Sequence, residues 1–263
     1  MGEGVSRTGN KKRKLPQEDD EREESASSES SISTSDPSST SSEDDSDGCA
    51  FDSIDVDFEF FDPDEGDFHG IKTLLTNYLD GTTYACSELV EDVVSTPGST
   101  VVKCGDEGNI IGIAGVIASH TDVYEYAKNN CPDSLKKKFE KMVGGNAKVR
   151  CILLERLINS PPQLAPPLMD AILVPEIQEG VDTYYIMGRG YKHGSSELIF
   201  ALPEYEFLYN EAKLTFDFVP PVRERLVEKN SDNPNPARFV AVVDKKGLEK
   251  ACKELKKVVE AIP

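Results

Sequence analysis

The chain has 263 residues, with 48 Asp and Glu against 29 Lys and Arg and a formal net charge of −19 at neutral pH. It contains no apolar run long enough to span a bilayer and no apolar signal core near its start, which excludes a membrane helix or secretory leader read from hydropathy. The charge is uneven: Met1–Asp67 holds 21 acids and 6 bases, whereas residues 68–263 hold 27 acids and 23 bases.

Residues 1–52 are rich in Ser, Asp and Glu and poor in aromatic and β-branched side chains. Such a segment buries too little apolar surface to offset about 1–2 kcal/mol of backbone entropy per residue. The composition predicts a disordered leader over 1–52 and one folded domain over 53–263. Lys11-Lys12-Arg13-Lys14, followed by Leu15-Pro16, is a basic run of the kind nuclear import receptors read. Ser33, Ser41 and Ser42 each stand three residues before an acid, Asp36, Asp44 and Asp45, the spacing used by acid-directed kinases. Between Gln17 and Asp67 there are twenty carboxylates and one base, Arg22. That polyanion attracts Lys- and Arg-rich surfaces and repels nucleic acid. Shielding of a basic client and a purely solubilising tail both fit its composition.

The body then reads as alternating elements. Val56–Phe60 alternates apolar and acidic residues as a strand does. Ile71, Leu74, Leu75, Tyr78 and Leu79 form the stripe of a helix that Gly81 should end. A second helix starts near Ser87, with Leu89, Val90, Val93 and Val94 inward. Thr100–Lys103 and Ile110–Ala118 predict strands around a Gly-rich turn, the second central because it is apolar nearly throughout. Thr121 should cap a helix to Asn130, and Pro132-Asp133-Ser134 should start another through Lys141. Val149–Leu154 is a buried strand, and from Pro162 a proline-interrupted helix carries Leu164, Leu168, Ile172 and Ile177 inward. Tyr184–Met187 and Leu198–Ala201 predict a strand pair around a hairpin tip at Gly188–Gly194. Glu204–Glu211 is helical, Leu214–Phe218 a strand, Asn233–Pro236 a turn and Phe239–Val243 the last strand. A terminal helix places Leu248, Cys252, Leu255, Val259 and Ile262 on one face. Interleaved hairpins and helices indicate an α/β or α+β sheet flanked by helices on both faces.

Catalytic and cofactor fingerprints fail in turn. There is no phosphate-binding loop, dinucleotide fingerprint, nucleophile elbow or H-E-x-x-H. Cys49, Cys86, Cys104, Cys131, Cys151 and Cys252 are widely and irregularly spaced, and no C-x-x-C pair occurs, so neither zinc nor a disulfide framework is expected. His69, His120 and His193 lie at element boundaries without a nearby partner in sequence, and read as surface or capping residues. Lys136-Lys137-Lys138 with Lys141 reads as the solvated face of a helix. The residues predict no catalytic group, no metal and no cofactor.

Two blocks carry a resemblance. Leu153–Ala165 has the pattern L-x-E-R-x-I-N-x-P-P-Q-x-A, through Glu155, Arg156, Ile158, Asn159, Pro161, Pro162 and Gln163. Glu204–Ala212 has E-x-E-F-x-Y-x-E-A, through Glu206, Phe207, Tyr209 and Glu211. Together with the F-x-x-F…G-I-K-x-L-L run of Asp57–Leu79, these closely resemble the BCCIP family of eukaryotic nuclear proteins, called BCP in fungi.

The resemblance implies a single domain like the GCN-five-related acetyltransferase fold, a mixed sheet flanked by helices, without enzymatic activity. It also implies a nuclear protein, with shuttling to the cytoplasm open. Implied partners are a nuclear import receptor and a basic client, a ribosomal large-subunit protein, chaperoned for ribosome biogenesis and transport. The alternative is a DNA-repair and cell-cycle scaffold that binds a breast-cancer-susceptibility protein and a cyclin-dependent-kinase inhibitor. The segment Gly188–Gly194 is shorter than the Lys-rich insertion of animal members, which weakens that alternative. The more remote alternative is an acetyltransferase. Acetyl-CoA binding on such a fold needs an [RQ]-x-x-G-x-[GA] turn, and the chain instead has Asn159-Ser160-Pro161-Pro162 after the strand Val149–Leu154. No membrane and no direct nucleic-acid contact is expected.

Overall fold

Long apolar stretches and two-residue alternation sort the chain into a mixed sheet with helices on both faces. The computed structural model describes residues 57–105, 108–145, 148–173, 179–193, 197–220 and 234–261, all in the unit Ser53–Pro263. Lys11, Lys12, Arg13, Lys14, Ser33, Ser41, Ser42, Cys49, Val56, Ile177 and Ile262 lie outside the described residues.

Eight strands occur among the described residues: β1 (Phe58–Phe61), β2 (Thr100–Cys104), β3 (Asn109–Ala118), β4 (Val149–Arg156), β5 (Thr183–Lys192), β6 (Ile199–Phe200), β7 (Leu214–Phe218) and β8 (Asn235–Asp244). They form one sheet in the order β1-β2-β3-β4-β5-β8-β7, with β6 paired to β5 off that path. Every pairing is antiparallel except that of β4 with β5. The helices among the described residues are α1 (Phe68–Leu75), α2 (Cys86–Ser95), α3 (Thr121–Asn129), α4 (Asp133–Val143), α5 (Ala165–Ala171), α6 (Pro203–Asn210) and α7 (Lys245–Val259).

The period of two sends successive strand residues to opposite layers. From β4, Ile152 and Leu154 join a core with Leu168 of α5, Leu208 of α6 and Leu255 of α7. Cys151 and Leu153 face the other way, into a core with Ile71 of α1, Leu89 of α2, Val123 of α3 and Phe139 of α4. The central strands are therefore apolar on both faces, which is why they read as continuous hydrophobic runs.

Several expectations are corrected. Helix α1 ends at Leu75, and the chain continues through turns to Asp80 and Gly81, which have left-handed φ of 56° and 83°. Thr121 is the first residue of α3 rather than its cap; His120 takes that position without a side-chain hydrogen bond. The proline-rich helix divides into a 3-10 turn, Pro162–Leu164, and the short α5, because Pro166 and Pro167 suit only a first helical turn. Asn235 and Pro236 belong to the start of β8 rather than to a turn.

The main correction concerns the expected hairpin tip. Gly188, Arg189 and Gly190 lie inside β5, which continues to Lys192. These glycines answer to crowding. A Cβ on Gly188 would stand 2.5 Å from the Phe239 ring, and one on Gly190 would stand 2.7 Å from the Ile199 carbonyl. Glycine within a strand here permits close packing.

Candidate functional site

In an open sheet the default ligand crevice lies beyond the carboxyl ends of parallel strands. Among the described residues the sheet has one such pair, and it diverges. Strands β4 and β5 are paired from Val149↔Thr183 to Ile152↔Ile186 and no further, although both continue. Beyond that point β5 takes β6 as its neighbour through Gly190↔Phe200 and Tyr191↔Ile199. The chain thus turns back into its own gap and enters α6 there.

The first turn of α6 fills that space. Tyr205 is fully buried, and its hydroxyl donates to the Leu154 carbonyl at 2.7 Å, replacing the partner that β4 loses where β5 departs. Burial raises the Tyr205 phenol well above its ordinary range, with Glu155 adding to the shift, so it remains a neutral donor. Its ring packs edge-on against Phe239 at 5.3 Å, and Phe239 occupies the space left by Gly188. Beside it, Arg156 makes a two-point contact with Glu204: Nε donates to Oε1 at 2.8 Å and Nη2 to Oε2 at 3.0 Å. The Arg156 and Glu204 side chains are 1% and 0% exposed. Arg156 also ties down the following loop, donating from Nη1 to the Ser160 carbonyl and hydroxyl.

On the opposite face the preceding residue starts a second network. Glu155 accepts from Arg189 Nη2, and Arg238 Nη1 stands 3.9 Å from Glu155 Oε1. Arg238 also donates from Nε to Asp80 Oδ2 at 2.9 Å and from Nη2 to the Tyr78 carbonyl at 2.7 Å. Tyr126 donates to the same Asp80 oxygen at 3.0 Å. The left-handed backbone at Asp80 is therefore held by two partners of its carboxylate. Burial pushes the Glu155 carboxyl up, against the pull of Arg189 and Arg238. A cavity of about 90 Å³ adjoins this network, lined by Asn77, Asp80, Ile158, Arg189, Tyr191 and Arg238 among others.

The loop after β4 is unsuited to cradling a phosphate. Pro161, Pro162, Pro166 and Pro167 remove amide donors where the chain enters the 3-10 turn and α5. Among the described residues no group of three His, Cys, Asp or Glu side chains could hold a metal ion, and no helix is long and apolar enough to cross a membrane. His69 is exposed and His120 is buried with Nδ1 unpartnered. Cys86, Cys104, Cys131, Cys151 and Cys252 are free thiols. Burial pushes both Cys151 and Cys252 up to about 12, so they stay protonated and unreactive at neutral pH.

Open concave surface lies outside the filled gap. A groove of about 760 Å³ runs between β6, α6, the end of β5 and β7. Leu198, Phe200 and Tyr209 supply apolar lining, and Ile199 is 55% exposed at its edge. Glu197, Glu206, Asp217 and Lys192 supply charge. Lys192 is bonded to Asp217 at 2.5 Å, so among the described residues exposed Glu197 and Glu206 leave the groove lining negative.

The two sequence blocks therefore meet at the Arg156–Glu204 and Tyr205–Leu154 contacts, while their remaining residues serve different surfaces. Glu155 and Arg156 are buried in the two networks, and Ile158 lines the small cavity. Asn159 and Gln163 are exposed, while Pro161 and Pro162 shape the turn. Glu206 and Tyr209 line the groove, Phe207 packs on the core, and Glu211 pairs with Lys250 at 2.7 Å. Sequence reasoning missed Asp80, Arg189, Glu204, Tyr205 and Arg238 as structural partners. One signal was available for Arg238: in β8 it shares a face with buried Val240 and Val242, so its charge required a partner.

Comparison with known proteins adds four findings. A family model described as BCCIP matches residues 53–197. The Arabidopsis thaliana "Protein BCCIP homolog" is 28% identical over 216 residues, covering 67% of this chain and 65% of that protein. The chain thus spans just under two thirds of that relative's length. The crystal structure of BCP1 from Saccharomyces cerevisiae superposes with a TM-score of 0.59 and 24% identity, over 80% of this chain and 92% of that one, a likeness of fold. A Drosophila melanogaster polyamine N-acetyltransferase aligns at a TM-score of only 0.41 and 10% identity over 72% of this chain and 100% of that one, too loosely to carry an argument.

Proposed function

Because the chain belongs to the BCCIP family, we propose that it is a non-catalytic nuclear binding protein that shields a basic client, a large-subunit ribosomal protein, before assembly. The observation that carries this reading is the filled gap between β4 and β5. The place where an open sheet would bind a small molecule holds Tyr205 and the Arg156–Glu204 pair. Ejecting them would leave buried charges unpaired, a cost of about 3–5 kcal/mol for such a pair. What remains for a partner is surface. The acidic excess of Met1–Asp67, 21 acids against 6 bases, favours a basic partner and disfavours nucleic acid. Import through Lys11–Lys14 and phosphorylation at Ser33, Ser41 or Ser42 belong to the same reading: one brings the protein to the nucleus, the other deepens its negative field.

The test uses the full chain with purified large-subunit ribosomal proteins at physiological salt. At least one of them should stay soluble, RNA-free and bound in a defined complex. If none does, the reading fails. A calorimetric titration with acetyl-CoA should give no saturable heat; binding in the micromolar range would restore the acetyltransferase alternative.

A further inference from the structure

We infer that the groove between β6 and α6 is the docking site for a basic segment of the client, one that carries an apolar anchor flanked by Lys or Arg. This inference rests on the reading of the protein as a holder of a basic client and names the surface that does the holding. The groove combines two features that such a segment requires. Its lining offers Leu198, Phe200 and Tyr209. Tyr209 and Phe200 lie 5.2 Å apart between ring centroids, and each also packs edge-on against Phe239, at 5.7 and 5.2 Å. This aromatic wall is backed by the core, so an anchor side chain would meet a preformed surface with little ordering left to do.

The charge then selects the occupant. Asp217 is neutralised by Lys192, and exposed Glu197 and Glu206 remain on the lining. An acidic or neutral apolar segment would desolvate these carboxylates without compensation, whereas Lys or Arg beside the anchor would meet them directly. The volume of about 760 Å³ is far larger than one side chain and suits a short stretch of polypeptide.

The probe is a synthetic peptide in which lysines flank a central phenylalanine, titrated into isotopically labelled full-length protein at physiological salt. Backbone amide shifts should move at Ile199, Phe200, Glu206, Tyr209 and Asp217. Glu197→Lys with Glu206→Lys should weaken binding about tenfold, as expected for two exposed attractive contacts turned repulsive. Glu249→Lys with Glu254→Lys, which makes the same change of net charge on α7, should leave the groove shifts unchanged. If the shifts fall only on residues 17–52, or if both double variants weaken binding equally, the inference is overturned. A separate readout keeps it distinct from the proposed function: client solubility with the Glu197→Lys/Glu206→Lys protein. Should the wild type hold a ribosomal protein and the groove variant hold it equally well, the groove fails while the function stands. Should the peptide map to the groove and no ribosomal protein be held, the function fails while the groove remains a basic-peptide site.

Discussion

The two halves of the β4–β5 pair solve the same problem by different chemistry. Up to Ile152 and Ile186 the strands are hydrogen-bonded to each other, and side chains such as Cys151, Ile152, Tyr185 and Ile186 bury into the two cores. Past that point the backbones part, and each loses the other as a neighbour. The space is then closed by Tyr205, whose hydroxyl reaches a β4 carbonyl, and by ion pairs on both faces: buried Arg156–Glu204 on one, and Glu155 with partly exposed Arg189 on the other. An apolar half tolerates imperfect shape, since its contacts are non-directional. The charged half depends on directed partners, because an orphaned buried charge is expensive. The difference teaches that this gap is closed by specific partners and is not an empty site awaiting a ligand.

The comparison can be broken first at Arg156. Arg156→Ala leaves Glu204 buried without its partner and should cost about 3–5 kcal/mol in urea unfolding. Replacing both residues, Arg156→Met with Glu204→Leu, should recover most of that loss. A single substitution as mild as one on an exposed lysine would sink the claim that charge pairing closes the charged half. Next comes Gly188→Ala, whose Cβ would stand 2.5 Å from the Phe239 ring, within the aromatic packing that fills the gap. Overpacking of this kind should cost about 1–3 kcal/mol, read as a lower denaturant midpoint. Tyr205→Phe keeps the ring and strands the Leu154 carbonyl, so a loss of about 1–2 kcal/mol is expected.

Two smaller effects sharpen the contrast. The folded-state pKa of Glu155 is raised by burial, so folding favours its protonated form. The resulting stabilisation is present below the unfolded pKa, about 4.3, and is lost as pH rises through the folded value. The stability difference between wild type and Glu155→Gln should therefore shift against the wild type as pH rises from about 4 to 7. A difference independent of pH would show that Arg189 and Arg238 fully offset the burial. In the smallest effect, a thiol reagent at neutral pH should label half-buried Cys86 and Cys104 well before Cys151 and Cys252. Peptide mapping of the labelled protein checks the order.

Local chemistry made much of the fold legible. Strand β7 was readable as Leu214–Phe218 because its alternation and the prolines Pro220 and Pro221 both point to it. Helix α7 was readable from its stripe of Leu248, Cys252, Leu255 and Val259, all of them buried. The Gly188–Gly190 segment misled because glycine permits a turn and close packing equally, and only Phe239, some fifty positions away, decides which. The candidate groove was half visible: Glu206 and Tyr209 stood out as a pattern, but Glu197 and Asp217 had nothing local to mark them.

The amino-acid sequence by itself determined the layered mixed architecture, because periods of 2 and 3.6 are local properties of the chain. It also determined the charge imbalance between Met1–Asp67 and the rest of the chain, and the proline-bearing turn after β4. Tertiary structure alone decided that the parallel strands diverge and that Arg156 meets Glu204, 48 positions on. It likewise decided that Arg238 meets Asp80 across 158 positions. Such pairings depend on how loops bring distant residues into one desolvated space, where the cost of an unpaired charge selects the partner.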